Sequence, residues 1–265
     1  MTTRGVAARN GAGEDGETSS GLTRALQILF AVAESTEPDV GVSELARMLG
    51  LSKTVVHRAV RTLVATGLCV VDERTRRYRL GPGAVSLGFA ALNRLEVPKV
   101  AQPHMERLVA RTGETATVSA RYNDQRMYLA QVLSPQEIRM AVQLGKLFPL
   151  HVGGSSKAIL AALGPAEIEG YLERRVNSGV AVTSPEELLA ELTRIRARGY
   201  AVSRGERQVD AGSVAAPVFD ASGRVYGSIS VCGPISRFGD DKTAEYGELV
   251  VEAAAAVSAG LGYRA

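Results

Sequence analysis

The chain has 265 residues, 45% apolar and 22% charged, with a formal net charge of +3 and only two cysteines, Cys69 and Cys232. That length and composition suit one large or two ordinary globular domains. They exclude a disulfide-stapled scaffold and a zinc ribbon, for which the thiols are too few. No apolar run approaches the roughly 20 residues that span a bilayer, and residues 1–21 lack the apolar segment of a signal peptide. A reducing cytoplasm and no membrane are therefore expected.

Residues 1–19 are rich in Gly, Ala, Glu, Thr and Ser, and are expected to form a disordered tail. A first helix is expected over Ser20 to Glu34, with Leu22, Ala25, Leu26, Leu29, Phe30 and Ala33 on its inner face. Pro38 and Gly41 mark a loop. Ser43 is placed to cap a second helix, and Gly50 to end it. Ser52 caps a third, which stops at Gly67. Its residues Val56, Ala59, Val60 and Leu63 point inward, whereas Lys53, Thr54, His57, Arg58 and Arg61 share the other side.

This helix–turn–helix is followed by Leu68 to Val71 and Arg77 to Leu80, two short strands joined by Asp72 to Arg76. The order is that of a winged helix-turn-helix, which lays its last helix in the major groove of DNA. The polar face supplies donors for guanine edges and phosphates, and a Thr for a thymine methyl. Residues 44–80 carry eight Lys and Arg against Glu44, Asp72 and Glu73, so the positive charge gathers where phosphate would be met. Ser52 and the five polar-face residues are the candidate DNA contacts, with Arg74, Arg76 and Arg77 of the wing; Arg79 lies beside them.

Pro82 opens a linker helix over residues 82–96, apolar on several sides. Pro98 is expected to break it before a helix from Lys99 to Arg111, closed by Gly113. Strands are then expected over Thr115 to Arg121, Arg126 to Leu133 and Ile138 to Leu144, the first two flanking Asn123-Asp124. A glycine turn, Gly153-Gly154-Ser155-Ser156, feeds a helix. Ser184-Pro-Glu-Glu187 starts another, which ends at Gly199. Strands Ser213 to Phe219 and Val225 to Cys232 and a final helix, Asp241 to Gly260, complete the chain. The pattern predicts an α+β fold: a winged helix-turn-helix over 20–82, a linker helix over 83–98, and a domain over 99–265 with a mainly antiparallel sheet flanked by helices.

These residues resemble the IclR-type bacterial transcriptional regulators. The match runs through Ala25-Leu-Gln-Ile-Leu29, the helix-turn-helix around Ser43 to Leu63 and Tyr78-Arg-Leu-Gly81. It continues through Leu150-His-Val-Gly-Gly-Ser-Ser-Lys-Ala158, Gly199-Tyr-Ala-Val202, Val214-Ala-Ala-Pro-Val-Phe-Asp220 and Ser228-Ile-Ser-Val-Cys-Gly-Pro-Ile-Ser-Arg237. The resemblance implies a GAF-like effector-binding domain and a sequence-specific regulator, a repressor. It further implies homodimers or homotetramers on palindromic double-stranded DNA, controlled by a small organic acid or aromatic metabolite. Matched residue by residue, its effector pocket falls on Gly154, Ser155, Ser203, Ala211, Ser213, Ser230 and Cys232. Many members carry Asp where Ser203 stands and Cys where Ser213 stands.

Independently, the start of a helix at Gly153-Gly154 offers backbone N–H groups and a positive dipole end to an anion. His151 is expected to make a structural hydrogen bond in that turn, and Lys157 is left between effector anchor and solvent. Cys69 is expected to be a small buried hydrophobe. No G-x-S-x-G elbow, phosphate loop or paired metal-spaced histidines occur, so no enzyme activity, cofactor or metal is expected.

Overall fold

The structure is a computed structural model that describes residues 21–177 and 184–264; the expected tail, 1–19, lies outside the described residues. The chain divides into two units, Met1–Leu95 and Glu96–Ala265.

In the first unit α1 (Gly21–Glu34), α2 (Val42–Leu49) and α3 (Lys53–Ala65) pack together, followed by the hairpin β1 (Cys69–Val71) and β2 (Tyr78–Leu80). The core joins Ile28, Val32, Leu45, Val56, Val60, Leu63, Cys69 and Tyr78. The inward face of α1 differs from the expected one. Ile28, Ala31 and Val32 are buried, whereas Leu22, Leu26 and Phe30 are exposed. Apolar residues lie on both sides of this helix, so periodicity alone did not choose between the faces.

Ser43 is not the cap of α2. The chain turns into the helix at Gly41, whose N–H donates to Glu44 Oε2 at 3.0 Å. The acceptor comes from within the first turn, one position past the expected residue. Gly50 ends α2 in the left-handed region at φ 65°, which a residue with a Cβ adopts only at a cost. Ser52 does cap α3, accepting from Val55 N–H at 3.4 Å. Val40 bridges Tyr78, adding a third short segment to the wing.

Helix α4 (Pro82–Asn93) completes this unit. The break falls at residues 94–96, before Pro98. Pro98 sits in the first turn of α5 (Val97–Thr112), where a missing N–H costs nothing.

The second unit is built on one antiparallel sheet in the order β5-β4-β3-β8-β7-β6. Its strands are β3 (Thr115–Tyr122), β4 (Gln125–Val132), β5 (Leu147–Pro149), β6 (Ala201–Arg204), β7 (Ala211–Phe219) and β8 (Val225–Pro234). The Asn123-Asp124 turn forms as expected, with Asn123 at φ 53°. The expected strand Ile138 to Leu144 is not one. That segment is tied to the sheet by side chains instead: Gln131 Nε2 donates to Val142 O at 3.2 Å, and Val142 N–H donates to Gln131 Oε1 at 2.9 Å. The edge strand forms later, at β5.

Helix α5 and the last helix, α9 (Asp240–Gly260), pack together on the sheet, while α6 (Gly154–Ala161) packs on β7 and β8 from the other side. Behind α6 lie α7 (Pro165–Asn177), unassigned from sequence, and α8 (Pro185–Arg198). Ser184 caps α8 by accepting from Glu187 N–H at 3.2 Å. All eight residues of α6 are buried. A helix enclosed on every side cannot show an amphipathic stripe.

Candidate DNA interface and effector pocket

In the first unit Lys53, Thr54, His57, Arg58 and Arg61 are all exposed on α3, opposite Val56, Val60 and Leu63. With Val42, Thr62, Ala65 and Thr66 they line an open concavity of about 860 Å³. Ser52 stands at its N-terminal end. The helix is fixed from below by the core and presents flexible donors above, as groove reading requires.

The wing turn is shaped by Asp72. Its carboxylate accepts from the N–H groups of Arg74 and Thr75 at 2.9 and 2.8 Å, and those bonds, Thr75 first, hold its pKa below the usual value. Arg74 and Arg79 are exposed, and Arg76 is exposed with Glu73 at 2.8 Å. Arg77 differs from these. Its Nε donates to Asp39, and its Nη2 donates to Asp39 O at 2.8 Å and Glu44 Oε2 at 3.0 Å. Those donors clamp the wing to the start of α2 and are not free for a phosphate.

In the second unit the sheet face under α6 is lined with hydroxyls. Thr117 and Ser230 approach to 2.7 Å, Ser119 and Ser228 to 2.9 Å. Ser155 Oγ donates to Ser230 Oγ at 3.0 Å, and Ser228 Oγ donates to Ser155 O at 3.1 Å. Ser155 and Ser230 are therefore bonded to each other inside the packing. They anchor the start of α6 on the sheet rather than line open space.

Beside them is a cavity of about 30 Å³ whose walls include Gly154, Ser203, Ala211, Ser213 and Cys232. The strands bring three of these together by register: Ser203 opposes Ser213, and Ser213 opposes Cys232. Gly154 approaches so closely that a Cβ there would lie 2.7 Å from Ser213 Oγ.

Sequence reasoning missed the rest of the lining, Arg126, Tyr128, Met140, Val142, Arg207 and Gly212, whereas Gly153 belongs to the expected glycine turn. Arg126, only 1% exposed, donates from Nε to Ser156 Oγ at 2.8 Å and from Nη2 to the Tyr128 hydroxyl at 3.0 Å. Its Nη1, like Nη1 of Arg207, is buried with no hydrogen-bond partner among the described residues. Burial, reinforced by the neighbouring charge of Arg207, pulls the Arg126 pKa below its ordinary value despite Tyr128. An arginine at an inward strand position was the available signal.

The N–H of Gly153, expected to face an anion, donates to Glu206 Oε2 at 2.9 Å. Glu206 also accepts from Lys157 Nζ at 2.6 Å, as does Glu191. Lys157 is thus a buried structural cation, neither solvated nor in the pocket. His151 bonds outside its turn, its Nδ1 lying 2.5 Å from the Tyr171 hydroxyl. Burial, then Arg175, hold its pKa down.

A DNA-reading head followed by a sheet domain with a small enclosed cavity defines a class, that of one-chain transcriptional regulators. Comparison with known proteins gives the family. Residues 21–73 match the IclR helix-turn-helix domain, and residues 89–259 match the bacterial transcriptional regulator IclR C-terminal domain. The chain belongs to the IclR family of transcriptional regulators. It is 35% identical to the HTH-type transcriptional regulator BhcR of Paracoccus denitrificans, over 98% of this chain and 94% of that protein. It is 30% identical to the HTH-type transcriptional repressor AllR of Salmonella typhi, over 98% and 97%. The crystal structure of an IclR family transcriptional regulator from Brucella abortus superposes with a TM-score of 0.76 at 29% identity, over 91% and 92%. These relatives are regulators, and the chain is a regulator rather than an enzyme. Among the described residues no helix is long and apolar enough to cross a membrane.

Proposed function

We propose that the protein is a cytoplasmic repressor whose hold on a palindromic operator is controlled by a small organic acid bound in the cavity between α6, β4 and β7. The observation that carries the effector half is a pair of guanidiniums, buried Arg126 and half-buried Arg207, each with a buried, unpartnered Nη1 at that cavity. Buried cationic donors without partners call for an anionic one. The unpartnered guanidinium nitrogens favour an acid over a neutral aromatic metabolite.

The DNA half is supported by the exposed face of α3 and the wing arginines Arg74 and Arg76, with Ser52 capping the helix. The naming of AllR as a repressor supports the direction of control. Exposed Leu22, Leu26 and Phe30 on α1, and Val85, Leu87 and Phe89 on α4, support assembly as a homodimer or homotetramer, which a two-fold operator requires. To switch, the acid must bind the DNA-competent and DNA-incompetent arrangements unequally.

The test is fluorescence anisotropy on duplexes tiled across the gene's own upstream region, with and without a panel of short organic acids. The reading predicts one high-affinity duplex whose affinity an acid changes, and loss of that response in Ser213→Phe with operator affinity retained. No duplex preferred over random DNA would overturn the regulator half. An undiminished response in Ser213→Phe would remove the effector from this cavity.

A further inference from the structure

The charge balance of the cavity specifies its ligand more closely than "organic acid". Arg126 reaches in from β4 and Arg207 from the loop between β6 and β7. Both guanidiniums lie over the same two rings: Arg126 is 4.1 Å from the Tyr128 centroid and 5.1 Å from that of Phe148, and Arg207 is 5.4 and 4.3 Å from them. Two like charges are thereby held side by side over the same two rings.

Among the described residues no carboxylate lines this cavity. The acid adjacent in sequence, Glu206, is turned onto Lys157 and the N–H of Gly153. Ser203 and Ser213 contribute neutral hydroxyls. The aromatic faces offset part of the cost of burying the cations, but a ring supplies no hydrogen-bond acceptor for Nη1. A buried charge left unpaired is costly, and two together add their mutual repulsion.

A monoanion between them neutralises one guanidinium and leaves the other with its buried Nη1 uncompensated. Two acidic groups on one short chain neutralise both. The cavity is small, so the carbon chain between the two acidic groups is short.

Resting on the effector site proposed above, we infer that the ligand is a short-chain organic dianion, one acidic group against Arg126 and the other against Arg207. Arg207 is the residue that selects the second charge. Arg126, tied to Ser156 and Tyr128, holds the first.

The experiment is isothermal titration of the full-length protein at fixed ionic strength with oxalate, malonate and succinate. Acetate, glyoxylate and pyruvate serve as monoanions, and malonamide as the neutral analogue. One extra charge-assisted hydrogen bond is worth about tenfold or more in affinity. At least one dicarboxylate is therefore expected to bind at least about tenfold tighter than every monoanion, with malonamide silent. Arg207→Gln, a loop substitution that leaves the sheet core untouched, is expected to bring that dicarboxylate down to the monoanion level. A monoanion that binds as tightly as all three dicarboxylates, and loses its binding in Ser213→Phe, overturns the dianion and keeps the effector site. Binding that neither Arg207→Gln nor Ser213→Phe alters, or no binding of any acid, overturns the site itself.

Discussion

Arg77 of the wing donates to Glu44 at the first turn of α2 at 3.0 Å, across 33 residues of sequence. The same guanidinium holds Asp39, and so closes the wing, the loop before α2 and α2 into one piece. Arg77→Ala is expected to lower the melting temperature of the first unit, and to weaken DNA binding only through that loosening. The Gly41 N–H, then Arg77, hold the Glu44 carboxyl below its ordinary value of 4.5. A carboxyl depressed on folding contributes stability above its ordinary value and loses it as pH falls through the folded one. The melting difference between parent and Arg77→Ala should therefore be full at pH 7 and shrink below pH 4.5. A difference that does not change with pH would show that Glu44 is not the partner that matters.

Arg58 and Arg74 should separate base reading from phosphate holding. Arg58 lies on the exposed face of α3, Arg74 on the exposed wing. Arg58→Ala is expected to cost about 1–3 kcal/mol on the operator and to narrow the gap between operator and random DNA. Arg74→Ala should weaken both equally and reduce the slope of log affinity against log salt by about 1. Anisotropy titrations over a salt series decide between them. Equal effects of the two substitutions on specificity would contradict the division of labour.

Part of what could be read beforehand followed from local rules. The left-handed Gly50, the Ser52 cap and the 3.6-residue repeat of α3 are fixed by neighbours in sequence, and they placed the DNA face. Five cavity residues, Gly154, Ser203, Ala211, Ser213 and Cys232, were placed by the resemblance to the IclR-type regulators rather than by a local rule. Arg126 and Arg207 lie 81 positions apart, and no local pattern couples them; the sheet order brings them together. Arg77 looked like its neighbours Arg74 and Arg76, because its ion pairs come from a loop earlier in the chain. Ile138 to Leu144 alternates like a strand, yet the Gln131 amide supplies what a backbone ladder would have supplied.

Lys157 is expected to be the main ionic tie between α6, α8 and the loop that carries Arg207. Its side chain is 4% exposed, and both carboxylates are 2.6 Å away. Lys157→Met fills a similar volume but leaves Glu191 and Glu206 facing each other without a cation. Breaking a fully buried pair costs more than breaking an exposed one, and these acids are about 30% exposed, so a loss of about 1–3 kcal/mol is expected. Chemical denaturation measures it. Adding Glu191→Gln and Glu206→Gln should recover much of the loss. If the triple substitution is no more stable than Lys157→Met alone, repulsion between the two acids is not the cause.

Both thiols should be silent in the native protein. Cys69 is fully buried in the first unit, and Cys232 is 8% exposed on the cavity wall. Burial pushes the Cys69 thiol above its ordinary value, and pushes Cys232 up to about 12. At pH 8 a thiol near 12 is ionised to about one part in ten thousand, and only the thiolate reacts. Ellman's reagent at pH 8 is therefore expected to label neither cysteine on the timescale of minutes, and both in guanidinium chloride. Cys232→Ala should leave the native trace unchanged. Rapid labelling of one thiol per native chain, abolished by Cys232→Ala, would show that the cavity opens to solvent far more readily than the burial of Arg126 and Cys232 allows.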